Sequence, residues 1–159
     1  MLHEAVRAAY ERERQLFEER AHERSIVFHI ARHLAVRVEA VLPGWSVDVD
    51  YDRWHPNGIE LLKKRLAGLR SDYTENDVYP DIIIHRRTGS SRRDNLLVVE
   101  VKKEEASRSE QQHDQVKLQA FMKEPFYYQN AAFLILPKNG DFPRLEWIRP
   151  PMPPSSCPP

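Results

Sequence analysis

A chain of 159 residues is the size of one domain with a sizeable core, and 24 Lys+Arg against 24 Asp+Glu exclude coating of nucleic acid by bulk charge while leaving room for a local basic patch. The single cysteine, Cys157, excludes an internal disulfide framework and suits a reducing, cytoplasmic setting. No apolar run is long enough to span a bilayer and the charged N-terminal stretch has no signal-peptide core, so no membrane partner is expected.

Residues 2–20 read as a helix, with Leu2, Val6, Ala9, Tyr10, Leu16 and Phe17 at three-to-four spacing. Its apolar stripe is thin beside Glu11-Arg12-Glu13-Arg14, which predicts a mostly solvated helix or one that packs on a partner chain. Residues 22–42 carry a clearer stripe of Val27, Ile30, Ala31, Leu34 and Val38, stopped by Pro43-Gly44. Glu23 lies four residues before Val27, so its carboxylate falls along the core-facing side, where it serves either the helix dipole or a site. His29 and His33 have a zinc-compatible spacing, but no third ligand follows, and they read as surface histidines. Residues 45–51 alternate as a strand, with Trp45, Val47, Val49 and Tyr51 toward the core and Asp48 and Asp50 toward solvent. A loop at 52–58 places Arg53 and Trp54 where stacking and phosphate contact suit them. A short basic helix at 59–69 and a polar connection at 71–79 follow.

Two short β-branched runs, from Pro80 to Arg87 and from Asn95 to Lys102, read as a strand hairpin around the polar segment 88–94. Leu96, Val98, Glu100 and Lys102 share one face, so a buried-looking face ends in a carboxylate beside an ammonium. Antiparallel pairing brings Asp81 to the same end. Two carboxylates there suit a hard divalent cation, which takes oxygen ligands and polarises a phosphate. His85, Arg86, Arg87, Arg92 and Arg93 cluster at the opposite end. Residues 107–124 read as a helix with a capping box at Ser109-Glu110-Gln111-Gln112, a stripe of Leu118, Phe121 and Met122, and Asp114 pairing with Lys117. The apolar run 131–136 predicts a strand parallel to 95–102, after a helical crossover. A turn at 137–140, an edge strand at 145–149 and a Pro-rich, disordered or polyproline II tail at 150–159 complete the chain.

Pro80-Asp81 and Glu100-Val101-Lys102, on paired strands between a glutamate-bearing helix and a helix–strand unit, resemble the PD-(D/E)xK phosphodiesterase superfamily, the restriction-endonuclease-like nucleases. The resemblance spans about Glu23 to Leu136 and is nearest to small bacterial members. It implies an α/β fold, a mixed central sheet flanked by helices. The domain would run over residues 1–149, with an extra N-terminal helix at 1–20, a core at 21–149 and the tail at 150–159. It further implies an endonuclease in which Asp81, Glu100 and the Val101 carbonyl hold Mg²⁺ or Mn²⁺. Lys102 would orient the attacking water and, with a depressed pKa, take its proton, while Glu23 completes the metal or water shell. Lys117, Arg86 and Lys103 would contact a nucleic acid, DNA ahead of RNA, and a homodimer would serve duplex cutting. The alternative is a non-catalytic nucleic-acid- or protein-binding module on the same fold.

Overall fold

The computed structural model describes residues 1–51, 53–54, 62–63, 79–87, 91 and 93–150. Helices α1 (Leu2–Arg12), α2 (Arg14–Glu18) and α3 (Glu23–Val41) come first. Strands β1 (Ser46–Val49), β2 (Arg53–Trp54), β3 (Leu62–Lys63), β4 (Ile82–His85) and β5 (Asn95–Lys103) follow. Helix α4 (Arg108–Phe121) and strands β6 (Asn130–Leu136) and β7 (Arg144–Ile148) complete the order.

Five strands form one mixed sheet in the order β1-β4-β5-β6-β7. All neighbours are antiparallel except β5 and β6, which run parallel and are joined through α4. The period-2 alternation of the central strands splits their side chains between two cores. Ile82, Ile84, Leu97, Val99, Val101 and Leu134 pack with α1, α2 and α3 on one face. Ile83, Val98, Phe133 and Ile135 pack with Leu118 and Phe121 of α4 on the other. Coverage on both sides is why these strands read as continuous apolar runs. Glu100 and Lys102 continue the α4 face of β5 beyond Val98, so the fold aims them at α4.

The N-terminal segment is not a solvated helix. Leu2, Ala5, Val6 and Ala9 are all buried, and the two alanines complete the stripe without bulk, letting α1 lie close on α3. The helix breaks at Glu13 and resumes as α2, which buries Phe17. Gly140, in the turn after β6, has φ +75°, and a Cβ there would lie 2.8 Å from Glu18 Cα. Only glycine fits that approach. Tyr10 donates its hydroxyl to the Gly140 carbonyl at 3.2 Å.

Other expectations change locally. β1 ends at Val49 because Asp50 takes φ 49°, so Val49 is exposed and Tyr51 packs on the α4 side. Leu62 and Lys63 pair antiparallel with Arg53 and Trp54, where a basic helix and a loop were expected. The rest of the predicted segment 59–69, most of 71–79, Arg92 and the tail from residue 151 lie outside the described residues. The capping box is Ser107 with Glu110, two residues earlier than expected, and the helix ends at Phe121. His33 is buried, not a surface residue. No helix among the described residues is long and apolar enough to cross a membrane.

Candidate active site

The β4–β5 register pairs Ile82 with Val99. One step outward, Asp81 comes beside Glu100. Asp81 Oδ2 accepts the Val101 N–H at 2.6 Å, which fixes the carboxylate across the open end of the hairpin. Glu100 is 3% exposed. From α4, Lys117 Nζ donates to Glu100 Oε2 at 2.9 Å and to the Tyr79 carbonyl at 3.2 Å. Asp114, three residues earlier, pairs with Lys102 Nζ at 3.2 Å. Residues i and i+3 lie on one helix face, so α4 presents a carboxylate and an ammonium that answer Lys102 and Glu100 crosswise. The expected Asp114–Lys117 pair is replaced by these two cross-pairs, because the helix faces a strand carrying the opposite charges.

Local hydrogen bonds hold α4 at this angle. Ser107 and Glu110 cap each other's backbone N–H groups. Gln111 Nε2 donates to the Glu104 and Ala106 carbonyls, tying the first turn of α4 to the β5–α4 connection. Glu23, in the first turn of α3, accepts the Lys103 N–H at 3.2 Å, and Lys103 Nζ donates to the Arg20 carbonyl at 3.1 Å. Glu23 therefore reaches the end of β5 through its backbone, near Asp81 and Glu100. Arg86 lies at the far end of the hairpin, over the Trp45 ring at 5.0 Å, and is not brought to this cluster.

Burial governs the electrostatics. It pushes the Asp81 carboxyl up to about 6, with the Glu23 charge adding, while the Val101 N–H and both lysines oppose it. It pushes Glu100 well above the usual carboxyl range too, against the pull of Lys117. Burial alone would lower Lys102, but the charges of Asp114, Glu23 and Asp81 outweigh it and hold Lys102 above its ordinary value. A depressed Lys102, as general-base chemistry requires, is not what these surroundings produce. Lys117 is raised in the same way, by Glu100 above all, against its burial.

Four carboxyl groups (Asp81, Glu100, Asp114 and Glu23) thus lie around the ammonium groups of Lys102 and Lys117. Glu100 Oε1 is buried and makes no aligned hydrogen bond, though Lys117 Nζ lies 2.9 Å away. An all-oxygen donor set with two adjacent carboxyl groups fits Mg²⁺ or Mn²⁺, which need one or two carboxylates plus waters. Among the described residues no three His, Cys, Asp or Glu side chains converge as a metal-ligating group, and Glu23 meets β5 at the Lys103 N–H.

One further cluster was not legible as such in the sequence. Asp48, expected in solvent, accepts from His85 Nε2 at 2.8 Å and from Arg87 Nε at 2.9 Å. Tyr51 packs edge-on against His85. The signal was present in the charges of 85–87, but only the β1–β4 register assigns them a partner. Asp114 could have been found from its i,i+3 relation to Lys117 once the sheet face of Glu100 and Lys102 was known. No family model, curated protein or solved structure matches the chain.

Proposed function

We propose that the protein is a metal-dependent nuclease, hydrolysing phosphodiester bonds of nucleic acid at the Asp81–Glu100 site on a restriction-endonuclease-like fold. The observation that carries this reading is the half-buried Asp81 set beside the buried Glu100 at one end of the sheet. Withdrawing two neighbouring carboxylates from water costs several kcal/mol for each that is fully buried unless something compensates. Strongly perturbed carboxyls at one end of a sheet point to chemistry.

Asp81, Glu100 and the Val101 carbonyl would hold Mg²⁺ or Mn²⁺, which when bound supplies Lewis-acid polarisation of the phosphate and of a bound water. Without metal, Asp114, Glu23 and Asp81 hold Lys102 above its ordinary value, which suits a donor's role: it orients the attacking water and offsets charge on the phosphoryl oxygens. Asp114 positions that ammonium. Lys103 and Lys117 offer further positive charge to the phosphate, and Glu23 fixes the end of β5 through the Lys103 N–H. DNA is the proposed substrate ahead of RNA.

One observation favours a second reading. The Glu100–Lys117 and Lys102–Asp114 pairs also hold α4 on the sheet, as in a non-catalytic binding module. Cleavage of supercoiled plasmid and of labelled single-stranded DNA and RNA separates the two. With Mg²⁺ or Mn²⁺ the wild type is expected to cut, and EDTA, Asp81→Ala, Glu100→Ala and Lys102→Ala are each expected to lower the rate at least about a hundredfold. Cutting that survives in all three variants, or in EDTA, contradicts the nuclease assignment to this site.

A further inference from the structure

Lys117 occupies a position that the proposed metal would have to share. Its Nζ lies 2.9 Å from Glu100 Oε1 and 2.9 Å from Oε2, so the ammonium covers both oxygens of that carboxylate. The side chains of Lys117 and Glu100 are 13% and 4% exposed, which leaves little room for a second cation without movement. The other lysine is engaged elsewhere, with Asp114. Lys117 also donates to the Tyr79 carbonyl at 3.2 Å, so the ammonium has a second acceptor besides Glu100. A lysine has four methylene groups and a compact ammonium, so Nζ can leave Glu100 while α4 stays in place.

We propose that Lys117 is a displaceable internal cation: it neutralises Glu100 while the site holds no metal, and yields that carboxylate when a divalent ion binds. This rests on the nuclease reading and adds to it. Ion and ammonium compete for one carboxylate, so the ammonium becomes free to meet a substrate phosphate only when the site is charged with metal. Lys117 thereby couples metal loading to phosphate binding, and in the absence of metal it keeps α4 seated over the buried Glu100.

Calorimetric titration of Mn²⁺ into the full chain tests this without relying on activity. Lys117→Met is expected to bind Mn²⁺ about tenfold more tightly than wild type, because the competing charge in contact with Glu100 is gone. Lys102→Met removes a nearby positive charge that does not touch Glu100, and is expected to change affinity less than about threefold. Lys117→Arg keeps the charge in a bidentate grip on the carboxylate and is expected to bind Mn²⁺ more weakly than wild type, so the series remains informative if Lys117→Met does not fold. Glu100→Gln is expected to abolish the binding. Equal gains in Lys117→Met and Lys102→Met, or no change in either Lys117 variant while Glu100→Gln still abolishes binding, overturns the competition and leaves the metal site standing. No Glu100-dependent Mn²⁺ binding in any variant overturns both.

Discussion

The charged residues of this protein are arranged in two contrasting ways. Asp81 and Glu100 are pushed up by burial, whereas Asp48 is pulled down: burial alone would raise it, but hydrogen bonds from His85 and Arg87 and the Arg87 charge outweigh burial and hold its carboxyl well below 3.8. The two directions have opposite consequences. A carboxyl depressed by folding adds stability that is fully present above its unfolded pKa and is lost as pH falls through the folded value. Asp48→Asn is therefore expected to cost about 1–3 kcal/mol at pH 7. The difference from wild type should shrink as pH falls below 3.8, the ordinary value for this group. Chemical denaturation of both proteins between pH 7 and the acid range checks it; a constant difference would show that Asp48 contributes through packing and not through its charge. Asp81 stands in the other category, since its ionised form is the costly one, and that cost is what a bound cation would offset.

At the level of elements, α4 decides whether the motif residues act together. β5 alone offers Glu100 and Lys102 on one face, and α4 supplies the side chains that pair with them, Lys117 and Asp114. Ser107→Ala removes the hydroxyl that caps the Glu110 N–H and is expected to destabilise the protein by about 1 kcal/mol. If α4 positions Lys102, the same change should also lower the cleavage rate, and an unchanged rate would detach α4's first turn from the site. Gly140→Ala is expected to cost more, about 1–3 kcal/mol, since it combines a left-handed backbone with a clash against Glu18. Denaturation midpoints read both. The central strands, the stripe of α3 and the parallel β5–α4–β6 unit were legible because their patterns are local: runs of β-branched residues, three-to-four spacing, a continuous apolar run. The packing of α1 was not, because alanines at positions 5 and 9 carry little hydrophobic signal and count only once α3 lies against them. The strand β3 was not either, since Leu62-Lys63 inside a basic stretch has helical spacing and its pairing with Arg53-Trp54 is a long-range fact.

For the molecule as a whole, zero net charge and a few lysines at one end of the sheet predict modest, local contact with nucleic acid. If Lys102, Lys103 and Lys117 are the phosphate contacts, the logarithm of duplex affinity should fall with the logarithm of salt at a slope of about −3. A much steeper slope would place the main contacts on other basic residues, the stretch from Lys63 to Arg70 among them. The site residues named from the sequence divide the same way. Asp81, Glu100, Val101, Lys102 and Lys117 come together, Glu23 and Lys103 meet each other at the edge of that cluster, and Arg86 lies at the opposite end. The motif was legible because strand alternation and hairpin pairing place its residues by arithmetic. The crossed ion pairs and the raised Lys102 were not, because they depend on how a helix distant in sequence settles on the sheet. The most direct measurement of the central claim is Mn²⁺-dependent nicking of supercoiled plasmid by wild type beside Glu100→Gln at equal folded concentration. Wild type is expected to nick the plasmid, EDTA to abolish the nicking, and Glu100→Gln not to support it. Equal nicking by both proteins, or none by wild type on plasmid or labelled single strands, would contradict it.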